Sequence, residues 1–192
     1  MKKINLLFAM AVMAATFQAC SGNKTASNSD STTVKKDSSV TTVKTDSAAV
    51  LSDTAFAAKA AVGGMAEVAL GKMAAAKGTD KQVKDFGNMM VMDHGKANDE
   101  LKGIAKAKNI TLPAGLDAEH QAKSDSLSKL SGKDFDKGYV EVMIEGHKKT
   151  LALMQSEAAN GKDAELKAFA AKTAPVVQMH LDHIQKIHDS LK

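Results

Sequence analysis

DKQVKDFGNMMVMDHGKANDELKGIAKAKN, residues 80–109, carries Val83, Gly87, Met90, His94, Ala97, Leu101 and Ile104 at alternating steps of four and three. That spacing lines side chains along one face of an α-helix. Thr79 or Asp80 can cap its start, and Leu112-Pro113 lies beyond its end. The same punctuation recurs on both sides. Ser52 and Asp53 precede a run ending at Lys77-Gly78, Asp134 opens a run closed by Asn160-Gly161, and Asp163 opens a last run. Helices are therefore predicted over 53–77, 80–109, 134–160 and 163–191. Each is about 25 to 30 residues, or roughly 40 Å.

The turns at Gly78 and Gly161 are tight, so each flanking pair should be an antiparallel hairpin. Between the hairpins, residues 110–133 include a predicted short helix over 117–130 and can travel the full height of the molecule. The fold expected is all-α, a ferritin-like four-helix bundle with a long crossover between helices 2 and 3. Pro175 falls inside the last run, where it should kink the helix; two short helices meeting at Ala174-Pro175 are the alternative.

Composition agrees. The chain has 192 residues, 44% hydrophobic and 25% charged, yet only 4% aromatic, with no Trp and two Pro. A β-sandwich needs more aromatic residues and more turns. The formal charge is +4, but all 26 basic residues are Lys. Without the Arg fork that recognises phosphates and bases, nucleic acid is not an expected partner.

The first residues read as an address. Lys2 and Lys3 precede an apolar stretch, Leu6 to Thr16, too short to span a bilayer, and small residues lead to Cys20, the single cysteine. Phe17-Gln18-Ala19-Cys20 resembles a lipoprotein processing site. Residues 1–19 are thus expected to be a lipoprotein signal peptide and Cys20 the lipidated residue. Residues 20–50 would be a disordered tether and 51–192 the bundle. Ser, Thr, Lys and Asp dominate the tether, and Thr32 to Ser38 recurs as Thr41 to Ser47. Such a segment cannot bury enough surface to fold. The expected location is the bacterial envelope, anchored to a membrane by lipid, on the periplasmic face of the outer membrane.

Each helix carries one polar residue on its apolar stripe. Glu67 interrupts Phe56, Ala60, Gly63, Leu70 and Ala74. His94 sits between Met90 and Ala97, and His147 between Met143 and Leu151. His180 lies in the stripe Leu166, Phe169, Thr173, Val176, Ile184 and Ile187. All four lie near the middle of their helices, within roughly 5 Å of one plane at 1.5 Å per residue. A carboxylate and three imidazoles at one level of a bundle are metal-ligand types. A hydrogen-bonded cluster that fixes helix register is the competing reading. A second stripe on the first helix, Val62, Met65, Ala69 and Met73, would leave Glu67 in solvent if it faced inward.

The Glu-x-x-His pairs of di-iron bundles are missing, since Val91 and Val177 stand three residues before His94 and His180. A single divalent ion, Zn, Mn or Fe, suits the set. The thioethers of Met90 and Met143 would favour Cu(I), but core filling is their commoner use, so Cu ranks behind. His183 shares a face with His180 and is a further candidate ligand. Asp93 and Tyr139 are candidates for supporting roles.

Gly64-Met65-Ala66-Glu67-Val68, Met90-Val91-Met92-Asp93-His94, Phe135-Asp136-Lys137-Gly138-Tyr139 with His147, and Ala171-Lys172-Thr173-Ala174-Pro175 with His180 resemble a family of bacterial exported proteins. It is a ferritin-like domain-of-unknown-function family often described as predicted outer membrane proteins. The resemblance spans about residues 51–190 and implies the bundle and an envelope location, but no activity. The sequence contains no nucleophile triad, Gly-rich phosphate loop or paired catalytic carboxylates. Metal binding or storage is the first expectation. A metal-dependent oxidoreductase and a structural or stress-related interaction module are the alternatives. No protein partner is indicated.

Overall fold

A computed structural model describes residues 51–191; the expected signal, the lipidation site at Cys20 and the tether lie outside the described residues. Among the described residues the structure is helix and loop only. The helices are α1 (Asp53–Lys77), α2 (Lys81–Ala107), α3 (Ala118–Ser128), α4 (Gly132–Asn160) and α5 (Ala164–Ser190).

Capping sets most boundaries. The side chains of Ser52, Asp80, Asp117 and Asp163 accept from the first free backbone N–H groups of α1, α2, α3 and α5. The second helix stops short of its expected end because Asn109 turns left-handed, at φ 55°, a conformation Asn tolerates. α4 begins two residues earlier than expected: Gly132, at φ 58°, reverses the chain after α3. α5 runs unbroken through Pro175, so the two-helix alternative does not hold.

Each hairpin turn is held by a carboxylate of the other hairpin. Asp136 of α4 accepts from Thr79 N–H (3.0 Å), Asp80 N–H (2.9 Å) and the Thr79 hydroxyl, at the α1–α2 turn. Asp53 of α1 accepts from Lys162 and Asp163 N–H, both at 2.9 Å, at the α4–α5 turn. α4 therefore starts at the same end as α2, and the crossover travels the height of the bundle, with α3 lying against α1 and α4.

The core has two apolar clusters. One gathers Phe86, Met90, Phe135, Tyr139, Met143 and Ile184 with their neighbours. The other gathers Phe56, Ala60, Leu101, Met154, Leu166 and Phe169 with theirs. Along every long helix the polar residue, Glu67, His94, His147 or His180, falls between the segments that build the two clusters. Glu67 is 4% exposed. The second stripe of α1 does not expel it, because α1 packs against α2, α3 and α4 and is covered on several faces. On α5 the expected stripe needs one correction. Val177 is buried and Val176 is 38% exposed, since a 3.6-residue period from Thr173 to His180 and Leu181 passes through Val177.

Candidate metal centre

The three imidazoles converge. Ring centroids are 5.6 Å apart for His94 and His147, 5.2 Å for His94 and His180, and 5.6 Å for His147 and His180. One ring nitrogen from each lies within 4.8 Å of the others, and all three residues are buried. Nitrogens bound to one tetrahedral ion stand about 3.3 Å apart, given metal–nitrogen distances near 2.0 Å. A modest inward rotation of the rings closes that gap.

Every ring has one nitrogen turned to an acceptor and one left over. His147 Nδ1–H donates to the Met143 carbonyl one turn back, at 2.8 Å. His180 Nε2 lies 3.0 Å from Asp93 Oδ2, so its N–H donates across the α2–α5 interface. His94 Nδ1 faces Glu67 Oε2 at 2.8 Å in an ion pair that lacks hydrogen-bond alignment. The remaining ring nitrogens, His94 Nε2, His147 Nε2 and His180 Nδ1, are buried without a hydrogen-bond partner. Buried polar atoms are normally satisfied, so three left-over ring nitrogens in one layer are candidate ligand atoms. The three histidines form the group that could hold a metal ion, since imidazole nitrogens are donors transition metals accept, while Glu67 stands beside the group against His94.

Electrostatics favour that set. Burial alone would raise the Glu67 carboxyl, but His94, His147 and His180 overcome it and hold the group down at about 2. Burial also works against a charged His94, yet Glu67 outweighs it and pushes His94 up. His147 is lowered by burial, with only partial relief from Glu67. His180 is lowered by burial to about 4 despite Asp93. Without metal the layer thus holds an imidazolium–carboxylate pair beside two neutral imidazoles, and metal binding would release one proton.

The other predicted residues fall as follows. Asp93 reaches His180. Tyr139 lies outside the imidazole group, 6.4 Å from Phe86 and 6.1 Å from Phe135 between ring centroids. Its buried hydroxyl has no partner, and burial with the Glu67 charge pushes its ionisation upward. His183 is exposed, its ring edge-on to Phe86, and does not join the group. Two contributors were not foreseen. Thr150 Oγ1 approaches Glu67 Oε1 at 3.4 Å, and Phe86 packs against both His147 and His180. Thr150 lies three residues beyond His147, a helical spacing that could have revealed it.

The family described as Domain of unknown function (DUF4142) matches residues 38–187, and the chain belongs to it. No curated protein matches the sequence. Solved structures share the bundle. A DUF305 fragment from Deinococcus radiodurans is similar at TM-score 0.65 and 10% identity, over 72% of this chain and 95% of that one. CopM in its Cu(II)-bound form is similar at TM-score 0.65 and 15% identity, over 74% and 99%. A DUF305 protein of Streptomyces coelicolor described as secreted is similar at TM-score 0.62 and 14% identity, over 73% and 94%. At these identities the likeness establishes the fold. Among the described residues, no helix is long and apolar enough to cross a membrane.

Proposed function

We propose that this DUF4142 chain is an envelope protein that holds one divalent transition-metal ion at His94, His147 and His180, with Glu67 as the charge-balancing fourth ligand. One observation carries the reading: each of three buried imidazoles keeps one unpartnered nitrogen, and one ring nitrogen of each falls within 4.8 Å of the others. The donor set narrows the metal. Affinity at nitrogen-rich sites rises from Mn(II) towards Cu(II), with Zn(II) close behind, so these two late ions move ahead of Mn and Fe. The Cu(II) form of a protein with the same bundle agrees with that order. Met90 and Met143 are buried core members one turn from His94 and His147, and the nitrogen-rich set does not need their sulfurs.

The proposed location follows from the sequence and from a structural neighbour described as secreted. Lipid on Cys20 would hold the bundle at the outer membrane on the tether. Cys20→Ala should then release the protein from the membrane fraction, and unchanged fractionation would remove the anchor from the proposal.

The metal itself is tested by thermal melts with Zn(II), Cu(II), Mn(II) and Fe(II). An ion bound only by the folded state at a hundredfold excess over its Kd adds about 2.7 kcal/mol. That corresponds to roughly 8 °C for a domain of this size. His94→Ala, His147→Ala and His180→Ala should each abolish the rise. No rise in the unaltered protein, or an equal rise in all three variants, would leave a polar cluster that only sets helix register.

A further inference from the structure

A cavity of about 530 Å3 opens between α1 and α4 beneath the crossover. Val62, Leu70, Val142 and Leu153 make its apolar walls, and Glu67 lies on its floor. Two glycines face it. A Cβ at Gly63 would meet only Thr150 Oγ1, at 3.9 Å, and one at Gly146 only Glu67 Oε1, at 4.0 Å. Any larger side chain at either position would occupy the cavity.

Its roof is α3, which is lightly fastened. Leu127 is the one buried side chain of α3. Lys123 pairs with Glu145 at 3.2 Å, and Glu119 with Lys149 at 3.0 Å, all at exposed or half-exposed positions. Ion pairs of this kind hold weakly and are screened by salt. Other sides of the polar layer are closed. Asp93 lies against His180 at the α2–α5 face. The hollows on the outer faces of α5 and of the α1–α2 pair touch none of Glu67, His94, His147 and His180.

We propose that this cavity is the port through which a divalent metal ion, as the hydrated ion or a small chelate, reaches the three histidines, with α3 as its lid. The inference rests on the metal-binding reading above. An ion with six waters of about 30 Å3 each displaces roughly 180 Å3, well within the space. Asp117, Glu119, Lys123 and Lys149 also line the space, and Glu67 is the one polar-layer residue that does, so an ion that has entered meets the Glu67 carboxylate before the imidazoles.

The test uses the metal-free full chain mixed rapidly with Cu(II) or Zn(II) alone. Tyr139 is the single Tyr and there is no Trp, so its quenching by Cu(II) reports binding. Gly63→Leu should slow association and dissociation alike by about tenfold and leave Kd nearly unchanged, as a blocked path must. Glu119→Gln with Glu145→Gln removes the ion pairs of the lid, leaves Val62, Leu70, Val142 and Leu153 in place, and should speed both steps severalfold; added salt should do the same. Rates indifferent to Gly63→Leu, or slowed by substitution of Asp93 instead, overturn the port while the metal site stands. If Gly63→Leu does not fold, the paired Gln variant decides, and unchanged rates there overturn the lid and port. If the unaltered protein binds neither ion, the port and the metal reading fall together.

Discussion

Between α1 and α2 the backbones nearly touch. A Cβ on Gly71 would fall 2.6 Å from the Gly87 carbonyl oxygen, and a Cβ on Gly87 would fall 2.6 Å from that of Gly71. Between α4 and α5 nothing comparable occurs: α5 has no glycine, and Gly138 and Gly146 of α4 face α3 and Glu67. There Met154 of α4 and Leu166 and Phe169 of α5 join one apolar cluster. The polar layer divides the same way. The close hairpin contributes the ion pair of Glu67 and His94, and the wider one contributes His147 and His180, both held neutral by burial. Glycine here acts through its missing side chain, setting a short interhelical distance that brings a carboxylate and an imidazole together.

The largest expected effect tests that contrast directly. Gly71→Ala forces a methyl group into backbone, which cannot retreat as a flexible side chain can. Overpacking of this kind costs about 1–3 kcal/mol. The roughly 1 kcal/mol that Ala gains over Gly in a helix offsets part of it, so a net loss of up to about 2 kcal/mol is expected. Gly146→Ala meets only Glu67 Oε1, at an ordinary 4.0 Å, and should gain about 0.5 kcal/mol. Urea unfolding of both variants measures the difference. Equal effects would mean that the two hairpins pack alike.

Part of this was legible beforehand. The stripe through Val83, Met90, His94 and Leu101 gave the helix and put His94 inside, and the matching heights of Glu67, His147 and His180 gave the layer. Those features are local and periodic. The clasp by Asp53 and Asp136 was not legible, because a carboxylate that caps a turn 109 or 57 residues away leaves no periodic trace. Gly71 and Gly87 read as weak helix positions, and only their mutual approach gives them meaning. The Val176 assignment failed by one residue, since both valines fit a step of three or four and only the burial of Val177 separates them.

The next effect is in acid. His180 falls from the ordinary 6.5 to about 4 in the folded protein. The unfolded chain therefore binds this proton first, and stability present above 6.5 is lost as pH drops towards 4. His147, also lowered, acts in the same direction. His94 is raised, so its contribution is full below 6.5 and lost as pH rises through its folded value. Glu67, held at about 2, contributes in full above 4.5 and loses that contribution as pH falls from 4.5 towards 2. Two histidines of the wider hairpin thus oppose one of the close hairpin. The metal-free protein should lose on the order of 1–2 kcal/mol between pH 7.5 and 5. Urea melts across that range test it, and His180→Gln should flatten the profile. A rise in stability on acidification would show that His94 dominates and would reverse the division between hairpins.

The smallest expected effect concerns how each hairpin aims its imidazole. His147 is oriented within α4 by a neutral carbonyl, whereas His180 of α5 is oriented by a carboxylate of α2. A carboxylate that accepts from the distal N–H fixes the tautomer, frees Nδ1 as a lone-pair donor, and makes the imidazole more basic. In Asp93→Asn the amide oxygen can still accept that proton, so the ring keeps its aim and loses the charge. Changes of this sort lower metal affinity by about tenfold or somewhat more, near 1.4 kcal/mol. Asp93→Leu removes the acceptor as well and should cost more. Competition with a chelator of known affinity reads both variants, while circular dichroism confirms that the bundle persists. If Asp93→Asn binds as tightly as the unaltered protein and Asp93→Leu loses affinity, orientation matters and charge does not. If neither variant changes affinity, His180 is aimed by packing against Phe86 alone, and the two hairpins present their histidines by the same means.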